Sequence, residues 1–332
     1  MAELKKVGIQ GLGYYLPEHV IDNSYFIDVL GLDTTDEWIQ QRSGITERRW
    51  ARDDEYTSDL STSAALNAMK NADITAEEID FMLIGNCTPD HQFPTTSNIV
   101  HKNLGLRPDC GVIDTPSACS SFMYALTLGT PLIKCGEAKK VLVIGAEKLS
   151  AILNIKDRGT CVLLGDAAGA MVLTEHTEEL PEILAHTYGN QLNIEALYRP
   201  MSGLREMPTH EGIDNDRQFM IMKGREIYAF AVRKFYEETL NVVKKAGLTM
   251  ADVSYIVPHQ VNSRIIASAA EKLNFPIERI YMTLNKTGNT SGASIPTALG
   301  EANEKGLFKK GDIVVLVAFG GGLTWGGGII RW

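Results

Sequence analysis

Apolar β-branched runs alternate with helical patterns along the chain. The runs at 81–85, 141–144, 170–173, 255–257, 313–317 and 328–330 are almost continuously hydrophobic, as expected of strands covered on both faces. Helical patterns occupy 59–71, 120–135, 224–246, 262–273 and 295–305. Such alternation predicts an α/β fold.

The pattern also repeats. Asn71-Ala-Asp-Ile-Thr-Ala-Glu-Glu-Ile-Asp-Phe-Met-Leu-Ile84 closes a helix, turns and enters a strand. Lys245-Ala-Gly-Leu-Thr-Met-Ala-Asp-Val-Ser-Tyr-Ile-Val-Pro258 does the same with matching residue classes. Position 74 corresponds to 248, an offset of 174 residues, and the strands beginning at 141 and 314 differ by 173. Two matches at one offset predict a duplication, with halves at 1–175 and 176–332 and a site between them. No Ser/Pro-rich or low-complexity tract divides the halves, so they are not expected to be independent modules.

Composition narrows the function classes. At 44% hydrophobic and 22% charged, the 332 residues are ordinary globular material and can enclose a large core. A net charge of -9 disfavours nucleic acid as a main partner, since phosphate contacts need a basic surface. The lysines at 5 and 6 are followed by a short apolar run broken by Gly8 and Gly11, unlike a signal-peptide core. No apolar stretch reaches membrane-spanning length, so a cytoplasmic protein without a membrane partner is expected. Cysteines at 87, 110, 119, 135 and 161 make an odd count with no Cys-x-x-Cys pair. That argues against a disulfide framework or a zinc site and fits a reducing compartment.

One cysteine has a distinctive setting. In Asp114-Thr-Pro-Ser-Ala-Cys-Ser-Ser-Phe-Met-Tyr-Ala-Leu126 a strand end turns through Pro116 and Ser117 into an apolar helical stretch. Cys119 therefore falls at a helix start, with Ser120 or Ser121 available as a cap. Unpaired N–H groups and the helix dipole there favour the thiolate and can bind an oxyanion. A plain packed cysteine is the competing reading of this segment. Three further segments stand out: Ile256-Val-Pro-His-Gln-Val-Asn-Ser-Arg-Ile-Ile266, which hands a strand ending at His259 to a helix; the Gly/Ser/Asn loop Leu284-Asn-Lys-Thr-Gly-Asn-Thr-Ser-Gly-Ala-Ser-Ile-Pro296 before another helix; and Phe319-Gly-Gly-Gly-Leu-Thr-Trp-Gly-Gly-Gly328, whose glycines permit close backbone approach.

Together these segments resemble the β-ketoacyl-acyl carrier protein synthase III family, condensing enzymes of the thiolase superfamily, over nearly the whole chain. The motifs that carry the resemblance are Thr35-Asp-Glu-Trp-Ile39, Arg42 with Gly44-Ile45, Asp157-Arg-Gly-Thr160, Gly165-Asp166 with Ala168-Gly-Ala170, His259-Gln260 with Asn262, Gly288-Asn-Thr-Ser291 and Phe319-Gly-Gly-Gly322. The resemblance implies a thiolase-like fold, two duplicated βαβαβαββ halves in a layered αβαβα core. It implies that Cys119 takes the acyl group from an acyl-CoA, that the amides of Cys119 and Gly321 form an oxyanion hole, and that His259 and Asn289 serve the decarboxylative condensation with a malonyl-acyl carrier protein. It further implies CoA and pantetheine contacts from Trp38, Arg42, Arg158, Gly224 and Asn262. Phe93 would close the acyl pocket of the other subunit of a homodimer, and no metal or redox cofactor would be needed.

The chain departs from the family pattern in four places. Cys-Ser-Gly-Phe is Cys-Ser-Ser-Phe here, with Ser121, and Gly-Asp-Gly-Ala-Gly-Ala carries Ala167. A pocket position that is often Phe is Leu164, and a lysine commonly used to dock the carrier corresponds to Ala229. Opening the pocket at Leu164 implies primers longer or more branched than acetyl. Arg264 remains for carrier docking, with Arg225 and Arg233 nearby in sequence. Ala229 motivates an alternative, a same-fold acyltransferase of secondary metabolism that passes the acyl group to a non-malonyl acceptor. A chain-length partner subunit would usually lack the cysteine, and a thiol redox protein would need a resolving cysteine near Cys119. A hydroxymethylglutaryl-CoA-synthase-like reaction would need a glutamate base, for which no matching motif stands out.

Overall fold

The computed structural model describes residues 4–332. Its strands in chain order are β1 (Val7–Tyr15), β2 (His19–Asp22), β3 (Glu47–Trp50), β4 (Phe81–Gly85), β5 (Gly111–Thr115), β6 (Lys140–Glu147) and β7 (Ala167–Glu175). The second part of the chain adds β8 (Glu182–Asn190), β9 (Leu197–Tyr198), β10 (Ile221–Met222), β11 (Tyr255–Pro258), β12 (Ile313–Gly320) and β13 (Thr324–Arg331). Nine of them form one sheet in the order β11-β12-β13-β8-β1-β7-β6-β4-β5.

The two ends of that sheet are built alike. β4 runs parallel to β6, which pairs antiparallel with β7, and β7 with β1. β11 runs parallel to β12, which pairs antiparallel with β13, and β13 with β8. The parallel bridge between Ile256 and Ile280 occupies the place that β5 holds beside β4. Within the sheet the halves join where β1 pairs β8, at the register pair Gly8 with Glu182.

The repeat seen in the sequence is a repeat of hydrogen bonds. Helix Thr57–Ala72 closes with Asp73 N–H on Lys70 O and Ile74 N–H on Met69 O, at 3.2 Å each. Helix Gly224–Lys245 closes with Gly247 N–H on Lys244 O at 3.0 Å and Leu248 N–H on Val243 O at 3.1 Å. These are the paired bonds of a Schellman end, with Asp73 and Gly247 in the left-handed region at φ 52° and 73°. Thr75 N–H then donates to the Glu78 carboxylate and Thr249 N–H to that of Asp252, at 3.0 and 2.8 Å. The matching residue classes are thus the ones that satisfy a helix end and start the next strand.

Alternation along the strands sets the layers. Val141 and Val143 of β6, with Val314, Leu316 and Ala318 of β12, face one shared core. Two helices fill that core: Ser121–Lys134 through Phe122, Met123 and Leu126, and Ser294–Glu304 through Ile295, Ala298 and Leu299. Leu142 and Ile144 point to the opposite face, onto Leu60, Ala64 and Ala68 of helix Thr57–Ala72. Val315 and Val317 point away on the other side, onto Phe235 and Val242 and onto Ile265 and Ile266 of helix Ser263–Leu273. The stack is helix, sheet, helix pair, sheet, helix: the expected αβαβα order. Burying each such side chain contributes roughly 1.5–3 kcal/mol, and a one-residue register slip would exchange the two faces. Helix Thr57–Ala72 lies so close to β1 that a Cβ on Gly11 would stand 2.5 Å from Ala68 O, which explains why that position is glycine.

The helical patterns expected from the sequence are all present within a residue or two of their bounds. Strands β1 and β8 and helices Asp36–Ser43 and Thr96–Leu104 were not anticipated, and of β5 only its end at Asp114-Thr115 was. Among the described residues, no helix is long and apolar enough to cross a membrane.

Candidate active site

Cys119 lies in the single turn Ala118–Ser120 that joins β5 to helix Ser121–Lys134. Ala118 holds that turn in the left-handed region at φ 46°. The corresponding turn of the second half, Ser291–Ala293 before helix Ser294–Glu304, opens on Ser291 at φ 48°. Each half therefore contributes one strained turn, and the two face each other, with the Ser291 side chain favouring the Cys119 thiolate. The end of β12 closes the third side. A Cβ on Gly320 would sit 2.7 Å from Cys119 Cβ and 2.8 Å from its backbone N, so only glycine lets that strand pass.

Neither expected serine caps the cysteine's helix. Ser120 Oγ donates to Ser117 O at 2.9 Å and lies 2.7 Å from Thr324 Oγ1. Ser121 Oγ is buried without a partner, in space left by the missing side chain of Gly292. The turn's own geometry already supplies the bend, so the Ser120 hydroxyl is free to tie it to β13 instead.

The charge state of Cys119 also differs from the sequence expectation. Burial pushes its thiol up to about 11, against the pull of the Ser291 hydroxyl and the N–H groups of Gly321 and Cys119. The helix start does present donors, but enclosure outweighs them, and the free enzyme holds a thiol. Below that value the thiolate fraction grows about tenfold per pH unit. Alkylation of Cys119 by iodoacetamide, followed by peptide mass spectrometry, is expected to climb steadily from pH 7 to pH 10. A plateau near pH 7 would show a preformed thiolate instead.

His259 follows β11 and is fully buried, with its N–H on Val317 O at 2.7 Å. Ser294 Oγ lies 2.8 Å from His259 Nδ1 and 2.8 Å from Ser291 O. The Phe319 ring stands edge-on at 5.5 Å, and Nε2 is buried with no partner among the described residues. Burial lowers the imidazole to about 3, so it is neutral at physiological pH. Asn289 is pinned by backbone pairing: its N–H donates to Leu163 O at 2.8 Å and its carbonyl accepts from Gly165 N–H at 3.0 Å. Its Oδ1 accepts from Ser291 N–H at 2.8 Å, which turns the amide and leaves Nδ2 uncommitted.

Cys119, His259, Asn289, Gly321 and Leu164 all line one cavity of about 280 Å³. Its other walls are largely apolar, from Leu149, Ile152, Leu163, Met220, Met222 and Phe230. The remaining candidates lie outside that lining. The guanidinium groups of Arg42 and Arg158 lie 5.8 and 5.1 Å from the Trp38 ring, so these three do cluster. Arg158 also bonds the Asp33 carbonyl, with the Asp33 carboxylate at 3.5 Å. Asn262 is a helix cap: its Oδ1 accepts from Arg264 N–H at 2.9 Å and its Nδ2 donates to Arg42 O at 2.6 Å. Gly224 opens helix Gly224–Lys245 and is exposed, three residues before the cavity-lining Ile227. Phe93 is 87% exposed, and Ala229, Arg225, Arg233 and Arg264 are exposed as well.

Sequence reasoning missed several groups here. Glu147 ends β6 fully buried, accepting from Cys87 N–H at 3.0 Å, Thr88 Oγ1 at 2.7 Å and the Cys87 thiol at 3.2 Å. Burial raises its carboxyl, and an acid closing an apolar strand was the available clue. Ser294 and Arg199 gave no comparable signal. Among the described residues, no group of three or more His, Cys, Asp or Glu side chains could hold a metal ion.

Comparison with known proteins places this site. The family model described as 3-oxoacyl-[acyl-carrier-protein (ACP)] synthase III matches residues 113–191, and its C-terminal companion matches residues 243–332. The chain is 43% identical to a beta-ketoacyl-[acyl-carrier-protein] synthase III of Fusobacterium nucleatum over 330 residues, 99% of each protein. It is 41% identical to the one from Caldanaerobacter subterraneus, covering 100% of this chain and 99% of that protein. The crystal structure of 3-oxoacyl-[acyl-carrier-protein] synthase III from Aquifex aeolicus superposes with a TM-score of 0.89 at 41% identity, covering 98% of this chain and all of the other. Full-length similarity at this level, with Cys119, His259 and Asn289 gathered in one cavity, means that this chain belongs to the β-ketoacyl-acyl carrier protein synthase III family.

Proposed function

We propose that this enzyme condenses an acyl-CoA primer with malonyl-acyl carrier protein, the step that starts a fatty acyl chain. The observation that carries the reading is the convergence of a thiol, two backbone N–H groups, an imidazole nitrogen and an amide on one buried cavity. In the first half-reaction the Cys119 thiolate attacks the primer carbonyl. The N–H groups of Cys119 and Gly321 hold the oxyanion, and CoA leaves as its thiolate. In the second, the malonyl group loses CO₂. His259 Nε2 and Asn289 Nδ2 donate to its carbonyl oxygen and steady the enolate, which attacks acyl-Cys119 and releases the cysteine as the 3-oxoacyl product forms. That role requires a hydrogen on Nε2, so Nδ1 is the bare nitrogen, and the Ser294 hydroxyl must turn its hydrogen from Ser291 O to Nδ1. Excluding water from so apolar a cavity strengthens each of these contacts.

The rest of the assignment follows the same reading. Trp38, Arg42 and Arg158 hold the adenine and phosphate end of CoA, with Gly224 and Asn262 along the pantetheine path. Exposed Arg264, with Arg225 and Arg233, receives the acidic carrier. The enzyme works in the cytoplasm as a homodimer, in which exposed Phe93 of each subunit closes the partner's pocket, and it uses no metal or redox cofactor. Each chain comprises two halves, 1–175 carrying the cysteine and 176–332 carrying the histidine and asparagine.

Incubation with malonyl-acyl carrier protein and a panel of acetyl-, butyryl-, isobutyryl- and octanoyl-CoA tests the proposal by the 3-oxoacyl product formed. Leu164 is buried against the cavity, and each added buried methylene contributes roughly 0.8 kcal/mol. Primers longer than acetyl are therefore expected to react, and Leu164→Phe to shift kcat/KM towards acetyl. No 3-oxoacyl product with any primer would refute the activity, and a profile unmoved by Leu164→Phe would refute the pocket assignment.

A further inference from the structure

Arg199 stands in the wall of the acyl cavity, where β9 pairs with β10. A cation is out of place among Leu149, Ile152, Leu163 and Met220, because burial there strips its water. The protein does little to compensate. Its Nε donates to Gln218 O at 2.8 Å, and no carboxylate among the described residues lies within the 4.0 Å of an ion pair. Both Nη groups are left without a protein partner among those residues. Arg199 and Cys87 both line this cavity, and burial lowers the guanidinium from its usual value. Cys87 in turn is 3.9 Å from Ser291 Oγ, the hydroxyl that favours the Cys119 thiolate. One cavity thus holds a nucleophile and, in its wall, a half-buried fork of donors with nothing to bind.

We propose that Arg199 receives a carboxylate at the far end of the primer, so that the preferred primer is the CoA monothioester of a short dicarboxylic acid. The inference rests on the acyl-cysteine reading above. A carboxylate matches the guanidinium fork with two parallel charge-assisted hydrogen bonds. An alkyl terminus of the same length would leave the half-dry cation unpaired, and sites built to bind a polar group reject analogues that lack it. The chemistry at Cys119 is unchanged: the primer's thioester end is transferred and its carboxylate is carried through, giving a 3-oxoacyl thioester with an ω-carboxyl group.

The test measures rates of Cys119 acylation by intact-protein mass spectrometry for matched pairs, succinyl- against butyryl-CoA and glutaryl- against valeryl-CoA. In the wild type, at least one dicarboxylic member is expected to exceed its partner in kcat/KM by at least about tenfold. That ratio is expected to fall at least about tenfold in Arg199→Met, and to lie between the two in Arg199→Lys, which keeps the charge without the fork. A wild-type ratio at or below one in both pairs overturns the proposal, whatever the variants do. So does a ratio that neither substitution moves. Acylation by none of the four overturns the acyl-cysteine reading and this inference with it, whereas acylation by the alkanoyl primers alone overturns only the inference.

Discussion

Replacing Cys119 with alanine is expected to abolish 3-oxoacyl product and acyl-enzyme together, a loss on the order of a millionfold for removal of an enzymic nucleophile. The measurement is product formation alongside the intact mass after incubation with acyl-CoA. The same digest of wild-type protein should place the acyl group on Cys119 and leave Cys87, Cys110, Cys135 and Cys161 unmodified. The discriminating residue is Cys87, which lines the same cavity. It lies 3.2 Å from the Glu147 carboxylate, and burial and that carboxylate together push its thiol well above its usual value. Cys119 instead faces N–H groups, which oppose the effect of burial. Two thiols in one cavity are thus told apart by what lies behind them. Acyl label on Cys87 with Cys119 bare would overturn the assignment.

His259→Ala and Asn289→Ala are each expected to cut condensation about a hundred- to thousand-fold, the usual effect of losing a donor to a developing oxyanion, or about 2.7–4 kcal/mol. Self-acylation should suffer far less, because in the proposed mechanism the N–H groups of Cys119 and Gly321 serve that step. Decarboxylation of malonyl-acyl carrier protein, measured as CO₂ release, separates the two roles. Wild-type CO₂ release in both variants would show that neither side chain steadies the enolate. The burial of His259 bears on the pH profile too. With its imidazole lowered to about 3, it stays neutral from pH 5 to pH 9, so its own titration adds no inflection there.

The fold was legible where a pattern repeats locally. The helix-to-strand turn at 69–79 and its copy at 243–253 use the same hydrogen bonds, so residue classes alone carried the duplication. Strand β1 escaped notice because Gly8, Gly11 and Gly13 dilute its apolar pattern, and Gly11 and Gly13 are there to admit a helix that the local sequence does not reveal. At the site, Cys119 was placed correctly at a helix start, but its protonation depends on enclosure by β12 and Ser291, about two hundred and one hundred and seventy residues away in the chain. His259 and Asn289 come from separate loops, and nothing in either segment alone points to the other; the family resemblance joined them. Arg199 lies in a stretch with no motif, Ser294 follows the Gly-Asn-Thr-Ser motif without a signal of its own, and only the fold shows what each faces.

The shared middle layer has a consequence for how the chain acquires its shape. Helix Ser121–Lys134 covers β4 and β6 with one face, and it shares its core with Ile295, Leu316 and Ile330 of the last forty residues, while Tyr124 and Thr130 reach Gly189 and His186. A ribosome that has made the first half has therefore made a strand-and-helix unit with an apolar helix still uncovered. Such a unit cannot close its core until the C-terminus emerges, which makes completion a late, all-or-none event and leaves the nascent Cys119 turn without its opposing Ser291 turn until then. Unfolding should run through the same bottleneck in reverse, as one cooperative transition rather than two.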